Sequence, residues 1–112
     1  MSRESDLVDV LSEKTTAGTQ SWEPTAVDDE FVTVVGDFSV FIRSVDDPNN
    51  REQPDFFLTL RDKDNRVILS IRNGDLQVGV ADPQLRNLHE LARRSALKID
   101  QALDAILKSL KQ

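Results

Sequence analysis

From Pro83 to Leu110 the chain carries an apolar stripe that is too long for the domain it belongs to, and no other feature restricts its fold so sharply. Leu85, Leu88, Ala92, Ala96, Ile99, Leu103, Ile106 and Leu110 follow one another at steps of three or four, which places them on one flank of a helix with 3.6 residues per turn. The opposite side holds Arg86, Glu90, Arg94, Gln101, Asp104 and Lys108, with Glu90 to Arg94 and Asp104 to Lys108 as favourable carboxylate-first pairs four apart. Asp82 before Pro83 suits an N-cap and a first-turn proline, and Lys108 and Lys111 suit the negative pole of the helix dipole. Unbroken, this helix would run about 42 Å. A compact chain of this length has a radius of gyration of ~13 Å, hence a diameter of roughly 34 Å. Either the helix overhangs and its end meets another subunit, or it breaks. Leu97 favours the break, because on a continuous helix it would sit more than ~100° from the stripe centre and face water. The expected break falls near Lys98, with Asp100 capping a second helix.

Upstream the period changes from helical to alternating. Glu4 to Lys14 forms a short amphipathic helix with Leu7, Val8 and Leu11 on one side and Gly18 beyond its end. Thr15 to Asp29 reads as a polar linker in which Trp22, its single large apolar residue, anchors to the core. Phe31 to Val35 and Phe38 to Val45 are strands joined by Gly36 and Asp37, a pair suited to a two-residue hairpin turn. Asp46 to Pro54 reads as a mobile polar loop. Phe56 to Arg61 and Val67 to Arg72 supply two more strands around the turn Asp62 to Asn65. Leu76, Val78 and Val80 alternate as a fifth strand would, against which stand Gly79 and the nearby Pro83. The chain is therefore expected to form one α+β domain: helix over 1–18, linker over 19–30, antiparallel meander of four or five strands over 31–81, and a long or broken helical segment over 82–112 packed on the sheet.

The alternation assigns Phe38, Val40, Ile42, Phe56, Leu58 and Leu60 to the buried face of that sheet and sends Phe41 and Phe57 to the other. Two aromatic rings on the wetter side need covering. The N-terminal helix or Trp22 is the expected cover, and a self-association or partner surface is the alternative.

Composition limits the chemistry. The chain has no cysteine, so it has neither a disulfide framework nor a thiolate metal site nor a cysteine nucleophile. A net charge of −6 and a pI near 4.7, with 14 dispersed basic residues, argue against phosphate recognition and hence against nucleic acid. Arg93 and Arg94 beside a helix break suggest a helix-turn-helix, but Glu90, Asp100 and Asp104 would repel the phosphates. Residues Met1 to Glu13 mix charged and apolar residues without an uninterrupted apolar run, so neither a secretory signal nor a membrane span is expected there. A cytoplasmic protein is expected.

The stretch Trp22, Glu23, Pro24, Thr25, the two hairpins after it, and Leu88, His89, Glu90, Leu91, Ala92, Arg93, Arg94, Ser95, Ala96, Leu97 resembles a widespread group of small uncharacterised bacterial proteins. The resemblance covers most of the chain and rests on one aromatic linker and one amphipathic helix. It implies the fold and a bacterial cytosolic origin, and no catalytic or cofactor site.

Candidate chemistry is sparse. His89, the single histidine, lies at the edge of the helical stripe with Ala92 and Arg93 at the positions where a further metal ligand would stand, so a boundary residue is a better account than a general base or ligand. Asp62, Lys63, Asp64 and Asn65 begin like a calcium loop, but Val67 and Asn73 occupy the places of its glycine and glutamate. No phosphate-cradling loop is present. No catalytic, metal or cofactor residue is expected. The partner surface is sought at Phe41 and Phe57 and at the acidic residues Asp28, Asp29, Glu30, Asp46 and Asp47. The expected role is a non-catalytic interaction or accessory module that binds a protein or a second copy of itself, and the alternative is an acidic immunity or inhibitor protein directed at a basic toxin or nuclease.

Overall fold

The computed structural model describes residues 2–47, 50–73, 79–80 and 82–112. Its elements run α1 (Arg3–Thr16), β1 (Glu23–Pro24), β2 (Glu30–Val35), β3 (Phe38–Asp47), β4 (Asn50–Arg61), β5 (Val67–Arg72), α2 (Asp82–Ala96) and α3 (Ile99–Leu110). The strands form one antiparallel sheet in the order β1-β2-β3-β4-β5, so the chain is an α+β protein with a five-stranded sheet.

The fifth strand is not where the alternation suggested. It is β1, cut from the expected linker, and pairs Glu23 with Val32 and Pro24 with Phe31. Leu76 and Val78 lie outside the described residues, while Val80 is fully buried in the core. The β2–β3 turn is as read: Val35 faces Phe38 across Gly36 and Asp37, and Gly36 at φ 61° supplies the positive dihedral required at the first position of a type II′ turn. The expected loop from Asp46 to Pro54 is instead mostly strand. Polar residues continue the ladder there because the pairing of Val45 with Asp55 and Asp47 with Asn50 satisfies their backbone groups around a bulge.

Helix α2 lies across one face of the sheet, against β1 to β4, and α1 packs beside α2. Ser2 caps α1 by accepting the Ser5 amide at 3.0 Å. Helix α2 begins at Asp82, whose side chain lies outside the described residues. The core is Val8 and Leu11 of α1, Trp22, Phe31, Val40, Ile42, Phe56, Leu58, Ile71, Val80, and Leu85, Leu88 and Ala92 of α2. Phe38 departs from the buried set and is 45 % exposed. It stands at the hairpin tip, as the mate of the likewise exposed Val35.

Trp22 is the anchor expected of it, and the contacts show how. The indole is 2 % exposed and donates Nε1–H to Thr15 Oγ1 at 2.9 Å, while its backbone amide donates to Ser95 Oγ at 3.0 Å. One residue thereby joins the end of α1, the start of β1 and the end of α2.

Candidate functional site

The C-terminal stripe both breaks and overhangs. Lys98 takes the left-handed conformation at φ 53°, ψ 44°, which an unbroken helix excludes, and the chain turns into α3. Asp100 is not the cap. The cap position belongs to Lys98, with no side-chain bond, and Asp100 sits in the first turn, ion-paired with Arg94 across the elbow. Leu97, whose exposure on a straight helix argued for the break, is still 48 % exposed at the bend.

Beyond the elbow the apolar stripe has no cover. Helix α3 contains no buried residue and contacts α2 alone among the described elements, so the expectation that the whole segment packs on the sheet holds only through α2. Leu103, Ile106, Leu107 and Leu110 are 48 % to 76 % exposed, although Ile99, Leu103, Ile106 and Leu110 continue the register that buries Leu85, Leu88 and Ala92 in α2. The molecule is correspondingly elongated, 53 × 37 × 29 Å with a radius of gyration of 15.2 Å, against ~13 Å for a compact chain of this length. A three-turn helix with so little tertiary support is marginal in water, yet its residues arrange themselves as an amphipathic binding helix would.

Around the helix axis, at 100° per residue, Ile99, Leu103, Ile106 and Leu110 form the centre of the apolar face. Asp100, Asp104 and Lys111 flank it on the Leu107 side; Ala102 and Ser109 flank it on the other. A groove of about 850 Å³ beside the elbow, lined by residues that include Trp22, Arg94, Ser95 and Gln101, adjoins this helix.

The second surface expected from sequence is occupied differently. Phe41 and Phe57 do project from the sheet face opposite α2, where no described element packs. Neither α1 nor Trp22 reaches them, because both lie with α2 on the core side. The rings are covered from their own sheet: the Arg61 guanidinium lies 5.1 Å from the Phe41 centroid and that of Arg43 5.7 Å from Phe57. Cation–π stacking of this kind shields aromatic area without a partner. It also buries Arg61 Nε with no hydrogen-bond acceptor, while Nη1 donates to Asn65 Oδ1 at 3.2 Å.

The acidic residues are brought to one rim. The Ser44 amide donates to the Asp29 carbonyl at 3.2 Å, which sets exposed Asp28 and Asp29 beside the end of β3 that carries exposed Asp46. Asp47 is placed by its backbone alone. Basic groups stand among them, since Glu30 faces Arg43 across the β2–β3 ladder and Arg72 pairs with Asp55 at 2.8 Å. The rim is mixed in sign.

His89 is 7 % exposed, wedged between Phe31 and Phe56 with ring centroids 5.5 and 5.3 Å away. Its Nε2 lies 2.9 Å from the Asp29 carbonyl, which can only accept, so Nε2 carries the proton. The ring ties α2 to the turn before β2. His89→Leu should keep the packing and lose this bond, lowering stability by about 1–2 kcal/mol in urea denaturation and leaving any association of the protein unchanged.

The remaining polar features are local. Asp62 accepts the Asp64 and Arg66 amides, both at 3.0 Å, and pairs with Arg66, which closes the β4–β5 turn rather than an ion loop. Glu90 pairs with Arg93 at 3.6 Å rather than with Arg94, so both arginines of the helix break already face carboxylates. Among the described residues no three His, Asp or Glu side chains gather as a metal site, and no helix is long and apolar enough to cross a membrane. In comparisons with protein-family models, with curated proteins and with solved structures, the chain matches none.

Proposed function

We propose that this protein is a non-catalytic interaction module whose binding element is α3. The observation that carries the reading is the contrast within one apolar stripe: fully buried at Leu85, Leu88 and Ala92, and about half or more exposed at Leu103, Ile106 and Leu110. Burying one such aliphatic side chain is worth about 1.5–3 kcal/mol when it goes from fully exposed to fully buried, and each of these has roughly half of that still to gain. An apolar patch rimmed by charge on a projecting helix is the form taken by helices that dock into grooves. The alternative of an acidic antagonist is supported less, because Arg43 and Arg72 interrupt the acidic rim.

Amide hydrogen exchange tests the reading. In dilute protein the α3 amides should exchange nearly freely while those of α2 and β3 are protected; at high concentration, or in an extract of the source cell, the α3 amides should slow by at least ~10-fold. Exchange in α3 that never changes, together with an unchanged particle mass, would overturn it.

A further inference from the structure

We infer that the elbow between α2 and α3 is a two-state hinge: the bent form exchanges with one continuous helix over 82–110, and the Arg94–Asp100 ion pair is the catch that holds it bent. The forces on each side can be read from the residues around Lys98.

The backbone opposes the bend. Lys98 adopts the left-handed conformation, φ 53° and ψ 44°, with no side-chain cap, and that conformation crowds the Cβ of any residue but glycine. The Leu97 amide still donates to the Arg93 carbonyl at 3.0 Å, but the Lys98 amide reaches Ser95, three residues back, at 3.3 Å, and helical bonding resumes only with Ala102 to Lys98 at 3.0 Å. In an unbroken helix the amides of Ile99, Asp100 and Gln101 would donate to the carbonyls of Ser95, Ala96 and Leu97. As the first turn of a separate helix they lack those acceptors.

Little else favours the bend. Helix α3 contains no buried residue and touches α2 alone among the described elements, so no core contact is lost when it swings. Leu97, which would face water on a straight helix, remains half-exposed at the elbow, so bending shelters only part of it. What remains is the Arg94–Asp100 pair, whose side chains are 41 % and 74 % exposed. A pair so exposed is worth little in water and less in salt. It belongs to the bent form only. Six residues apart on one helix, the two would stand about 120° apart around the axis and ~9 Å along it, whereas helical pairs meet at three and four.

Strain and missing hydrogen bonds on one side thus oppose a weak pair and a partly sheltered leucine on the other, and the two forms lie close in free energy. The exchange reshapes the groove beside the elbow, whose walls come from both sides of the hinge: Trp22 and Ser95 from the body, Asp100 and Gln101 from α3. Straightening withdraws the α3 wall. It also brings Leu103 and Ile106 onto the flank of the helix that carries Leu85 and Leu88. The hinge therefore sets both the opening of the groove and the direction in which the apolar face of α3 points, and it does so without a partner.

Spin-label distances test the hinge. Because the chain lacks cysteine, nitroxides attached through Asn87→Cys and Ser109→Cys, both at exposed positions, report one distance per molecule. On a continuous helix the two positions are ~33 Å apart, and across the bend they are closer. Pulsed electron resonance on dilute protein should show both distances, with circular dichroism confirming that each variant is folded. Lys98→Gly, which relieves the left-handed crowding, and Lys98→Ala, which favours helix, should differ by at least ~10-fold in the ratio of long to short distance. Asp100→Asn should raise that ratio at least ~3-fold, and salt at about 1 M should raise it in the parent and leave Asp100→Asn unmoved. A single short distance that none of these changes displaces would show a rigid elbow and overturn the hinge, and a single long distance in the parent would overturn it equally. A ratio that answers to Lys98 but neither to Asp100→Asn nor to salt would overturn the catch. None of these outcomes depends on α3 meeting a partner, so they stand apart from the test of α3 as the binding element.

Discussion

Substituting Leu103→Asp together with Ile106→Asp should abolish association and leave the melting temperature within about 3 °C of the parent, and this separation of binding from stability is the largest effect expected of any surface change in the protein. The two side chains are at the centre of the exposed face of α3 and belong to no part of the core. A buried leucine or isoleucine replaced in this way would cost several kcal/mol, since a charge would enter an apolar interior. Here the aspartates enter water. What they lose is the apolar contact with the docked partner, about 1 kcal/mol or more for each half-exposed side chain, and a carboxylate would have to be desolvated in its place. Association should weaken by at least ~100-fold, read by sedimentation or light scattering between about 1 µM and 1 mM, while thermal unfolding followed by circular dichroism reports the fold. A variant that melts more than ~8 °C lower, equivalent to roughly 1–2 kcal/mol in a domain of this size, would show that α3 packs on the body after all.

The second large effect lies at the opposite end of the burial scale. Trp22→Ala should cost about 3–5 kcal/mol, a large share of the ~5–15 kcal/mol that holds a domain of this size together. The indole fills the junction of α1, β1 and α2, and its removal leaves both a cavity and a lost hydrogen bond to Thr15. Trp22→Phe separates the two contributions, because it restores much of the volume but not the Nε1–H donor; the expected cost falls to about 1–3 kcal/mol. Urea denaturation followed by circular dichroism measures both variants, and in the parent the fluorescence of this single tryptophan reports the same transition. A shift of less than ~1 kcal/mol for the alanine variant would mean that the three elements hold together without it.

The body is closed by one amphipathic helix lying over a sheet, with α1 at its side, and it leaves the far sheet face to be shielded by its own arginines. The C-terminal helix adds nothing visible to that stability. Its apolar residues are left uncovered when the fold is complete, which is why the proposed binding surface lies there rather than at Phe41 and Phe57. Phe41 and Phe57 looked equivalent to them by alternation, yet Arg61 and Arg43 stack on the rings. Nothing comparable screens Leu103 or Ile106, since the lysines and aspartates of α3 lie on its flank and back.

Local chemistry by itself determined the helix of the N-terminus, the Gly36–Asp37 hairpin, the strands around Asp62–Asn65, the face buried by Val40, Ile42 and Leu58, and the break at Lys98, because period, turn residues and length are properties of neighbouring residues in the chain. Tertiary structure alone decided that Glu23 and Pro24 make the fifth strand, since a two-residue edge exists only by pairing with Val32 and Phe31. It decided that polar residues from Asn50 onward extend β4, where ladder hydrogen bonds override turn composition. And it decided which half of the apolar stripe is core and which half is surface: the same spacing runs through both, but the left-handed turn at Lys98 leaves only the residues before the bend against the sheet.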